Sequence, residues 1–299
     1  MKIVFIGNIY FSYMLLKAIF AFNPKYVIGV ITNKNKKKAD YFDLTKFCMK
    51  KKIPYILTKN INSKNNFNWI KRKKPDLICC FGWSQLIQNK ILNLTKIGCI
   101  GYHPAQLPFN RGRHPIIWTM VLGMKQTCST FFFMTNKADS GKIINKKKLK
   151  VYRHENSWKL YRRLIKVASI QLVNLLKKIN KKSNFYKNKN NKISLKEEHN
   201  FWRKRNYNDG KIDWRMSGVS INNLVRALDK PFPGSHFIFK NKIYKIWKIK
   251  FKKRKDLKNI EPGKVISLNK KMPEIKCDQG TIIIKKMTPS IKLKIGDYL

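Results

Sequence analysis

Acidic residues are scarce in this chain. Its 299 residues include 15 aspartates and glutamates against 66 lysines and arginines, which leaves a formal net charge of +51 at pH 7. Taken alone, this balance favours a nucleic acid or an anionic surface as partner. The lysines are nevertheless spread among many asparagines and isoleucines, a joint bias that an AT-rich genome imposes on all its proteins. Only residues 181–207 approach a clustered basic patch with interleaved aromatic residues, so both interpretations of the charge stay open.

Long hydrophobic runs and secretion signals are also missing. No stretch of eighteen apolar residues occurs, so we expect no transmembrane helix and no membrane insertion. The chain starts directly with a strand-type segment and lacks a signal-peptide pattern, which favours a cytoplasmic protein. Six cysteines show no metal-ligand spacing, so we expect reduced core thiols and no metal. These cysteines are Cys48, Cys79, Cys80, Cys99, Cys128 and Cys277.

A glycine-rich dinucleotide loop is absent from the first turn. The mainly apolar run over residues 2–6 predicts a buried parallel strand that ends at Gly7. The turn that follows is not Gly-x-Gly-x-x-Gly, which argues against a dinucleotide site. Ser12 is suited to cap the helix that comes next.

Strand-type and helix-type segments alternate over residues 1–180, which predicts an α/β domain with a doubly wound, mainly parallel sheet. Residues 181–210 are rich in lysine and asparagine and indicate a basic linker, of which residues 201–206 are expected to pack back on the first domain. Residues 211–299 contain several short strand-type segments separated by turns. They predict a smaller, β-barrel-like C-terminal domain.

The loop over residues 103–115 contains several of the candidate catalytic and binding residues. A strand-type run over residues 97–102 leads into His103, and a helical segment begins after Pro115. Pro104, Pro108 and Pro115 fix φ and cannot donate a hydrogen bond, so the loop has few conformations. A histidine at the carboxyl end of a strand lies where open α/β sheets bind their ligands.

The same loop contains two arginines that flank a glycine. Gly112 allows a close approach of the backbone to another group. Arg111 and Arg113 can reach anions, or they can pair with loop carbonyls in a structural role. We expect them at the mouth of a substrate cleft.

The loop reads His-Pro-x-x-Leu-Pro-x-x-Arg-Gly-Arg-x-Pro-Ile, and Asp139-Ser140-Gly141 follows 36 residues after its histidine. These two motifs, in this order and at this spacing, resemble the formyltransferases that use 10-formyltetrahydrofolate. The resemblance extends to residues 3–7, 211–214, 226–228 and 231–234, so it covers most of the chain. It implies a Rossmann-like catalytic domain, a small barrel-like second domain, and 10-formyltetrahydrofolate as co-substrate of a formyltransferase.

The resemblance assigns the catalytic roles to a histidine and a carboxylate. It implies that His103 faces the formyl oxygen or relays a proton, and that Asp139 orients His103 and supports its charge. A carboxylate that fixes an imidazole tautomer and stabilises its cation is the physical basis of this pairing.

One position departs from the family. Its members normally carry an asparagine two residues before the histidine, whose amide donates to the oxyanion, but here that residue is Gly101. Tyr102 points to the other face of the strand. Losing one oxyanion donor costs on the order of 10²–10³ in rate, so we expect that Gln106, Asn8 or a water replaces it, or that the enzyme is slow. We also expect open space beside Gly101, which has no side chain.

The folate pocket is implied by position in the family, chiefly through backbone groups of two loops. The stretches that match these loops are residues 81–86 and 134–139. The residues expected to line the folate are Phe81, Gly82, Trp83, Ser84, Gln85, Leu86 and Ala138.

Two acceptors are compatible with the resemblance: a primary amine on a nucleotide-linked amino sugar, and the methionine on initiator tRNA. The Arg-Gly-Arg-x-Pro motif and the Pro-Phe-Pro-Gly motif at residues 231–234 are more similar to the sugar enzymes. The positive charge and the basic linker favour tRNA. We expect the small-molecule sugar acceptor, with a homodimer as a compatible assembly. A non-catalytic folate- or nucleic-acid-binding relative is the lesser alternative, because both His103 and Asp139 are present.

Overall fold

The computed structural model describes residues 1–34, 39–181, 199–254, 256–269 and 272–299. The described residues pack as two compact units. The first comprises Met1–Pro115, Thr127–Leu149 and Arg162–Trp202. The second comprises Ile116–Gln126, Lys150–Tyr161 and Arg203–Leu299.

A seven-stranded sheet forms the centre of the first unit. In chain order its strands are β1 Ile3–Ile6, β2 Val27–Thr32, β3 Tyr55–Leu57, β4 Leu77–Cys80, β5 Gly98–His103, β7 Gln126–Phe133 and β8 Ile143–Lys150. Their spatial order is β3-β2-β1-β4-β5-β7-β8. The pairs from β3 to β5 are parallel, and β7 runs antiparallel to β5.

The central strands are apolar because both faces of the sheet are covered. All four residues of β1 are fully buried, and all four of β4 are buried. Burying a side chain of this size stabilises the fold by about 1.5–3 kcal/mol relative to leaving it exposed. The continuous apolar runs therefore specify parallel strands.

Seven α-helices occur among the described residues. They are α1 Tyr10–Phe22, α2 Leu44–Lys50, α3 Lys64–Lys73, α4 Asn89–Leu92, α5 Pro115–Val121, α6 Ser157–Lys181 and α7 Gly218–Ala227. Across this part of the chain, no helix has the length and apolar character needed to cross a membrane.

Ser12 does not precede helix α1 as predicted but lies in its first turn. The helix begins at Tyr10, and the Ser12 hydroxyl accepts a hydrogen bond from the Ile9 backbone N–H at 3.3 Å. The same hydroxyl donates to the carbonyl of Phe81 at 2.6 Å. A Cβ at Gly7 would lie 2.5 Å from the Ser12 Cβ, so only glycine allows this close approach. Ser12 thus links the ends of β1 and β4.

The second unit contains a five-stranded antiparallel sheet. Its strands are β10 Ser235–Phe239, β11 Lys242–Lys253, β12 Val265–Asn269, β13 Met272–Cys277 and β14 Gly280–Thr288, in the order β10-β11-β14-β13-β12. The Ser217 hydroxyl caps helix α7 by accepting from the Ser220 N–H at 3.1 Å. Gly218 lies against the Phe251 ring, so the helix packs closely on this sheet.

The predicted fold class is confirmed: a mainly parallel α/β sheet is accompanied by a separate, smaller antiparallel sheet. The boundaries at residues 180 and 211 stay a prediction. Of the predicted basic linker, residues 182–198 lie outside the described residues.

Candidate active site

The predicted catalytic region lies where three neighbouring strands end. Strands β1, β4 and β5 are adjacent and parallel, so their carboxyl ends meet at one edge of the sheet. Asn8, residues 81–86 and the loop after His103 all follow these ends. This is the edge at which open α/β sheets place their ligands.

His103 is the last residue of β5 and is buried. Its Nε2 lies 2.8 Å from the backbone carbonyl oxygen of Asn110. A carbonyl oxygen can only accept, so Nε2 carries the proton and donates. The other ring nitrogen, Nδ1, lies 3.6 Å from Oδ2 of Asp139, which is too long for a hydrogen bond. In the tautomer with the proton on Nε2, the Nδ1 lone pair lies on the side of the carboxylate.

Asp139 reaches this position from a turn after β7. Its backbone is left-handed, with φ of 52°, a conformation that aspartate and asparagine tolerate better than most residues. Its Oδ2 also accepts a hydrogen bond from the Gly112 N–H at 3.0 Å. One carboxylate oxygen thus faces both His103 and the arginine loop.

The Asp-Ser-Gly segment is a tight turn whose residues have separate structural tasks. The Ser140 hydroxyl bonds to the Thr135 hydroxyl at 2.7 Å and donates to the Lys137 carbonyl at 3.0 Å. A Cβ at Gly141 would lie 1.6 Å from the Phe133 carbonyl oxygen, so only glycine lets the chain fold back there. Ser140 therefore stabilises the turn through its hydrogen bonds, and Gly141 allows the chain to fold back. Asp139 is the residue of this segment whose side chain faces His103.

The loop from Pro104 to Leu107 is anchored by side chains of the neighbouring strands. The Thr127 hydroxyl donates to the Pro104 carbonyl at 3.0 Å, and the Thr130 hydroxyl donates to the Ala105 carbonyl at 2.8 Å. The Lys146 ammonium donates to the Leu107 carbonyl at 2.9 Å. These bonds satisfy three carbonyls of the loop and hold it against the neighbouring strands.

A short two-stranded ribbon follows, formed by β6 (Arg111–Gly112) and β9 (Phe201–Trp202), which pair in parallel. Gly112 has φ of 100°, and a Cβ there would lie 2.3 Å from the Trp202 carbonyl oxygen. The sequence predicts that the backbone at Gly112 closely approaches another group. In the structure that group is the Trp202 carbonyl of the same chain. The Arg113 N–H donates to the same Trp202 carbonyl at 2.9 Å.

The two arginines have different surroundings. The guanidinium of Arg111 lies over the Phe201 ring, 5.7 Å from its centre, and its buried Nε has no hydrogen-bond partner among the described residues. Arg113 is exposed, and its Nη1 lies 3.4 Å from the Ser84 carbonyl oxygen. Arg113 thus adjoins the loop that follows β4.

The space beside Gly101 is filled, so the prediction of a vacant position is wrong. A Cβ at Gly101 would lie 2.8 Å from Met134 Cγ and 2.9 Å from the Phe132 ring. Both side chains come from the antiparallel neighbour β7 and the residue after it, which the sequence of β5 alone does not disclose. Tyr102 points to the other face, as expected, and stacks on Phe11 with ring centres 4.4 Å apart. Burial raises the pKa of the Tyr102 hydroxyl.

The two other expected oxyanion helpers are placed as follows. Asn8 is fully buried, and its amide donates to the Asn33 side-chain oxygen at 2.6 Å. The Gln106 carbonyl accepts from the Phe109 N–H at 2.9 Å, which closes a turn. Their participation in catalysis stays a prediction.

The loop expected to line the folate combines core and surface residues. Phe81 is fully buried and contacts Phe131 edge to face, with ring centres 5.6 Å apart. Gly82 has φ of 71° and lies against the Ile9 side chain. Trp83 packs on the apolar core between the sheet and helices α3 and α4, and its buried Nε1 has no hydrogen-bond partner in the described part of the chain.

The remaining folate candidates are tied to a neighbouring loop. Gln85 accepts from the Ile61 N–H at 3.0 Å and donates to the Lys59 carbonyl at 2.8 Å, so its side chain has a structural task. The Leu86 carbonyl accepts from the Asn62 amide at 2.9 Å. Ala138 is half-buried directly before Asp139.

The six thiols lie in the core. All six are buried, and none forms a disulfide bond. Burial raises the pKa of Cys48 to about 12 and that of Cys277 to about 11, so neither is an activated thiolate. In the described ranges, no three His, Cys, Asp or Glu side chains group as a metal site requires.

Two asparagines near His103, Asn110 and Asn200, were not predicted from the sequence. Asn110 bonds to His103 through its carbonyl, and Asn200 accepts from the Asn110 N–H at 2.8 Å. The left-handed backbone of Asn110, with φ of 63°, is a conformation for which asparagine is enriched. An Asn-Arg-Gly sequence after a proline is a weak turn signal that could have drawn attention to it, whereas nothing local identifies Asn200.

Comparison with known proteins gives matches over almost the whole chain. Residues 1–176 match the formyl transferase family and residues 204–298 match the formyl transferase C-terminal domain. The bifunctional polymyxin resistance protein ArnA of Wigglesworthia glossinidia brevipalpis is 34% identical over 265 residues, which are 85% of this chain and 39% of that protein. The methionyl-tRNA formyltransferase of Alkaliphilus oremlandii is 28% identical over 310 residues, covering 100% of this chain and 96% of the relative.

Solved structures share the fold at lower identity. The N-formyltransferase of Helicobacter canadensis, in complex with folinic acid and dTDP-3-aminofucose, has a TM-score of 0.69 at 15% identity, covering 95% of this chain and 98% of its own. WlaRD, a sugar 3N-formyl transferase, has a TM-score of 0.67 at 18% identity and covers 97% and 99%. The methionyl-tRNA formyltransferase of Clostridium thermocellum has a TM-score of 0.61 at 16% identity and covers 94% and 100%.

The family match spans more than half of the chain and includes both the histidine loop and the Asp-Ser-Gly turn. The resemblance expected from these motifs is therefore confirmed. The chain belongs to the formyl transferase family and is a formyl transfer enzyme.

Proposed function

We propose that this enzyme transfers the formyl group of 10-formyltetrahydrofolate to a primary amine of a nucleotide-linked amino sugar, with the chemistry in residues 1–180. The observation that carries the proposal is the approach of half-buried Asp139 to buried His103 at the carboxyl edge of the sheet, beside the exposed Arg113. Formyl transfer needs a base near neutrality and a group that stabilises its cation.

The neutral tautomer of His103 defines its part in the reaction. The amine nitrogen attacks the formyl carbon, and the oxygen of that carbon takes up the negative charge. The attacking nitrogen then loses a proton, for which the Nδ1 lone pair of His103 is the available acceptor. The negative charge of Asp139, 3.6 Å from Nδ1, stabilises the resulting imidazolium. His103 returns the proton to the folate nitrogen as the bond from that nitrogen to the formyl carbon breaks.

The residues around the predicted folate loop suit such a ligand. Trp83 has a buried indole N–H without a partner among the described residues, and it lies in the stretch assigned to the pterin. A buried donor of this kind costs free energy until a ligand acceptor meets it. The structural relatives with folinic acid or a formyl-tetrahydrofolate in their crystals support the same co-substrate.

The arginine loop supports a sugar-nucleotide acceptor. A nucleotide-linked sugar carries a diphosphate, and arginine is well suited to bind phosphate oxygens. Arg113 is exposed, and among the described residues its guanidinium makes one hydrogen bond, a long one of 3.4 Å to the Ser84 carbonyl, so it has further donors to offer. The Arg-Gly-Arg-x-Pro and Pro-Phe-Pro-Gly motifs point the same way.

Initiator methionyl-tRNA is the second candidate. It is favoured by relatives named methionyl-tRNA formyltransferase, which align with the whole chain. The formal charge of +51 is compatible with it.

The test is a competition between acceptors. The protein is incubated with 10-formyltetrahydrofolate and, in parallel, with a panel of nucleotide-linked amino sugars or with charged initiator tRNA, and each acceptor is analysed by mass spectrometry. We expect a gain of one formyl group on an amino sugar and none with the His103→Ala protein. Formylation of initiator methionyl-tRNA alone would establish the second candidate instead.

A further inference from the structure

Asn110 is hydrogen-bonded on both of its backbone groups, and both bonds matter for His103. Its carbonyl accepts from the His103 Nε2–H at 2.8 Å. Its N–H donates to the Oδ1 of Asn200, also at 2.8 Å. Asn200 lies 90 residues further along the chain but in the same compact unit.

The Asn200 bond holds an unusual backbone conformation at Asn110. With φ of 63° this residue is left-handed, a conformation seen chiefly for glycine, asparagine and aspartate. A rotation about this residue would carry the carbonyl away from His103. The Asn200 side chain opposes that rotation by holding the adjacent N–H.

Asn110 also begins the segment that holds Asp139. Two residues later, the Gly112 N–H donates to Asp139 Oδ2 at 3.0 Å. The partners of both ring nitrogens of His103 are therefore set by residues 110–112. A shift of this segment changes the direction of the His103 lone pair relative to the carboxylate.

We propose that Asn200 is a positioning residue for formyl transfer: it fixes the Asn110 peptide and thereby the tautomer and orientation of His103. This inference rests on the proposed role of His103 as proton acceptor. Asn200 acts through Asn110 and contacts neither reacting group.

Contacts other than the Asn200 side chain stabilise the β6–β9 ribbon. Replacing that side chain is therefore expected to affect the Asn110 peptide without unfolding the ribbon. The Arg113 N–H bonds to the Trp202 carbonyl, and Arg111 lies over Phe201. Phe109 meets the His199 ring edge to face, with centres 4.9 Å apart. The Asn200 side chain is exposed, so its replacement leaves no cavity.

The experiment compares Asn200→Leu, Asn200→Ala and Asn200→Asp in the full chain. Leucine and alanine remove the acceptor, whereas aspartate keeps an oxygen that accepts from the Asn110 N–H. Asn208→Ala, another exposed asparagine, is the matched control. We expect kcat to fall about five- to tenfold in the leucine and alanine variants, as for loss of one hydrogen bond. KM for both substrates and the unfolding midpoint stay unchanged, and aspartate restores kcat.

A second readout does not depend on activity. The ¹⁵N shifts of the His103 ring, assigned with His103→Gln, report which nitrogen carries the proton. We expect Nε2–H in the parent and a mixture of tautomers in Asn200→Leu. If the parent protein formylates no acceptor, the proposed function fails. The ring shifts still test whether Asn200 sets the tautomer of His103. Parent-like ring shifts in Asn200→Leu, or a kcat that aspartate does not restore, would overturn the inference.

Discussion

At the scale of single residues, Asp139 combines two tasks that can be separated by substitution. Its charge faces His103 Nδ1 at 3.6 Å, while its oxygen accepts from the Gly112 N–H. Asparagine tolerates the left-handed backbone and keeps an accepting oxygen, but it lacks the charge. Asp139→Asn therefore removes the negative charge beside His103 but keeps the hydrogen bond from the Gly112 N–H that holds the arginine loop.

We predict that Asp139→Asn lowers kcat by about 10²–10⁴, the range for general acid–base catalysis, without changing the unfolding midpoint. Asp139→Ala should lose the same activity and some stability as well, because the Gly112 N–H is left without its acceptor. Steady-state kinetics and thermal unfolding distinguish the two. Near-normal turnover in either variant, or in His103→Ala, would remove these residues from the mechanism.

The close packing at Gly101 leads to a second prediction. Gly101→Asn places a side chain against Met134 and the Phe132 ring, and we expect it to destabilise the protein by about 1–3 kcal/mol, as overpacking does. Combining it with Met134→Ala should recover part of the loss, since the flexible thioether is one of the two obstacles. Denaturant unfolding measures both effects. A stable Gly101→Asn protein with raised turnover would show that an amide is accommodated there after all.

At the scale of elements, the turn over residues 203–210 contains an ion-pair network. This turn lies at the start of the segment Arg203–Leu299 of the second unit. The Asp209 carboxylate accepts from both Nη atoms of Arg203 and from the Asn206 N–H at 2.6 Å. The Arg205 guanidinium donates to the Asp209 backbone carbonyl. Hydrogen bonds from Arg203, and then from Asn206, lower the pKa of Asp209 to about 2.

This lowered pKa predicts an acid-dependent stability. Because the folded-state pKa lies below the ordinary value of 3.8, ionised Asp209 stabilises the fold above about pH 4, and this contribution is lost as the pH falls toward 2. Asp209→Asn should unfold earlier than the parent at pH 7, and the two proteins should converge in acid. Asp213→Asn is the control: its pair with Arg215 is more exposed, so its effect should be smaller and more salt-sensitive. A difference between parent and Asp209→Asn that persists at pH 2 would contradict this account.

At the scale of the whole molecule, the charge of +51 bears on partners rather than on the fold. If it is mainly genomic background, tRNA should bind weakly, without preference among tRNAs, and with steep salt dependence. Phosphate contacts give a slope of log K against log salt of about −0.7 to −0.9 per neutralised phosphate. Filter binding at several salt concentrations, with initiator and elongator tRNAs compared, tests this. Tight, selective binding of initiator tRNA at physiological salt would instead favour the tRNA acceptor.

Features that depend on neighbours along the chain were predictable from the sequence. Apolar runs such as Ile3–Ile6 identified buried strands because a parallel sheet excludes water from both faces. The histidine loop and the Asp-Ser-Gly turn were recognisable because prolines, serine and glycine impose local conformations. The fold class and the family followed from these elements and their order.

Contacts between side chains of distant segments became visible in the folded structure alone. Met134 fills the position beside Gly101 because β7 pairs with β5, a pairing that no local pattern specifies. Asn200 reaches Asn110 across 90 residues because β9 pairs with β6. Such contacts depend on which distant segments become neighbours when the core is buried, so the sequence pattern around each residue contains no record of them.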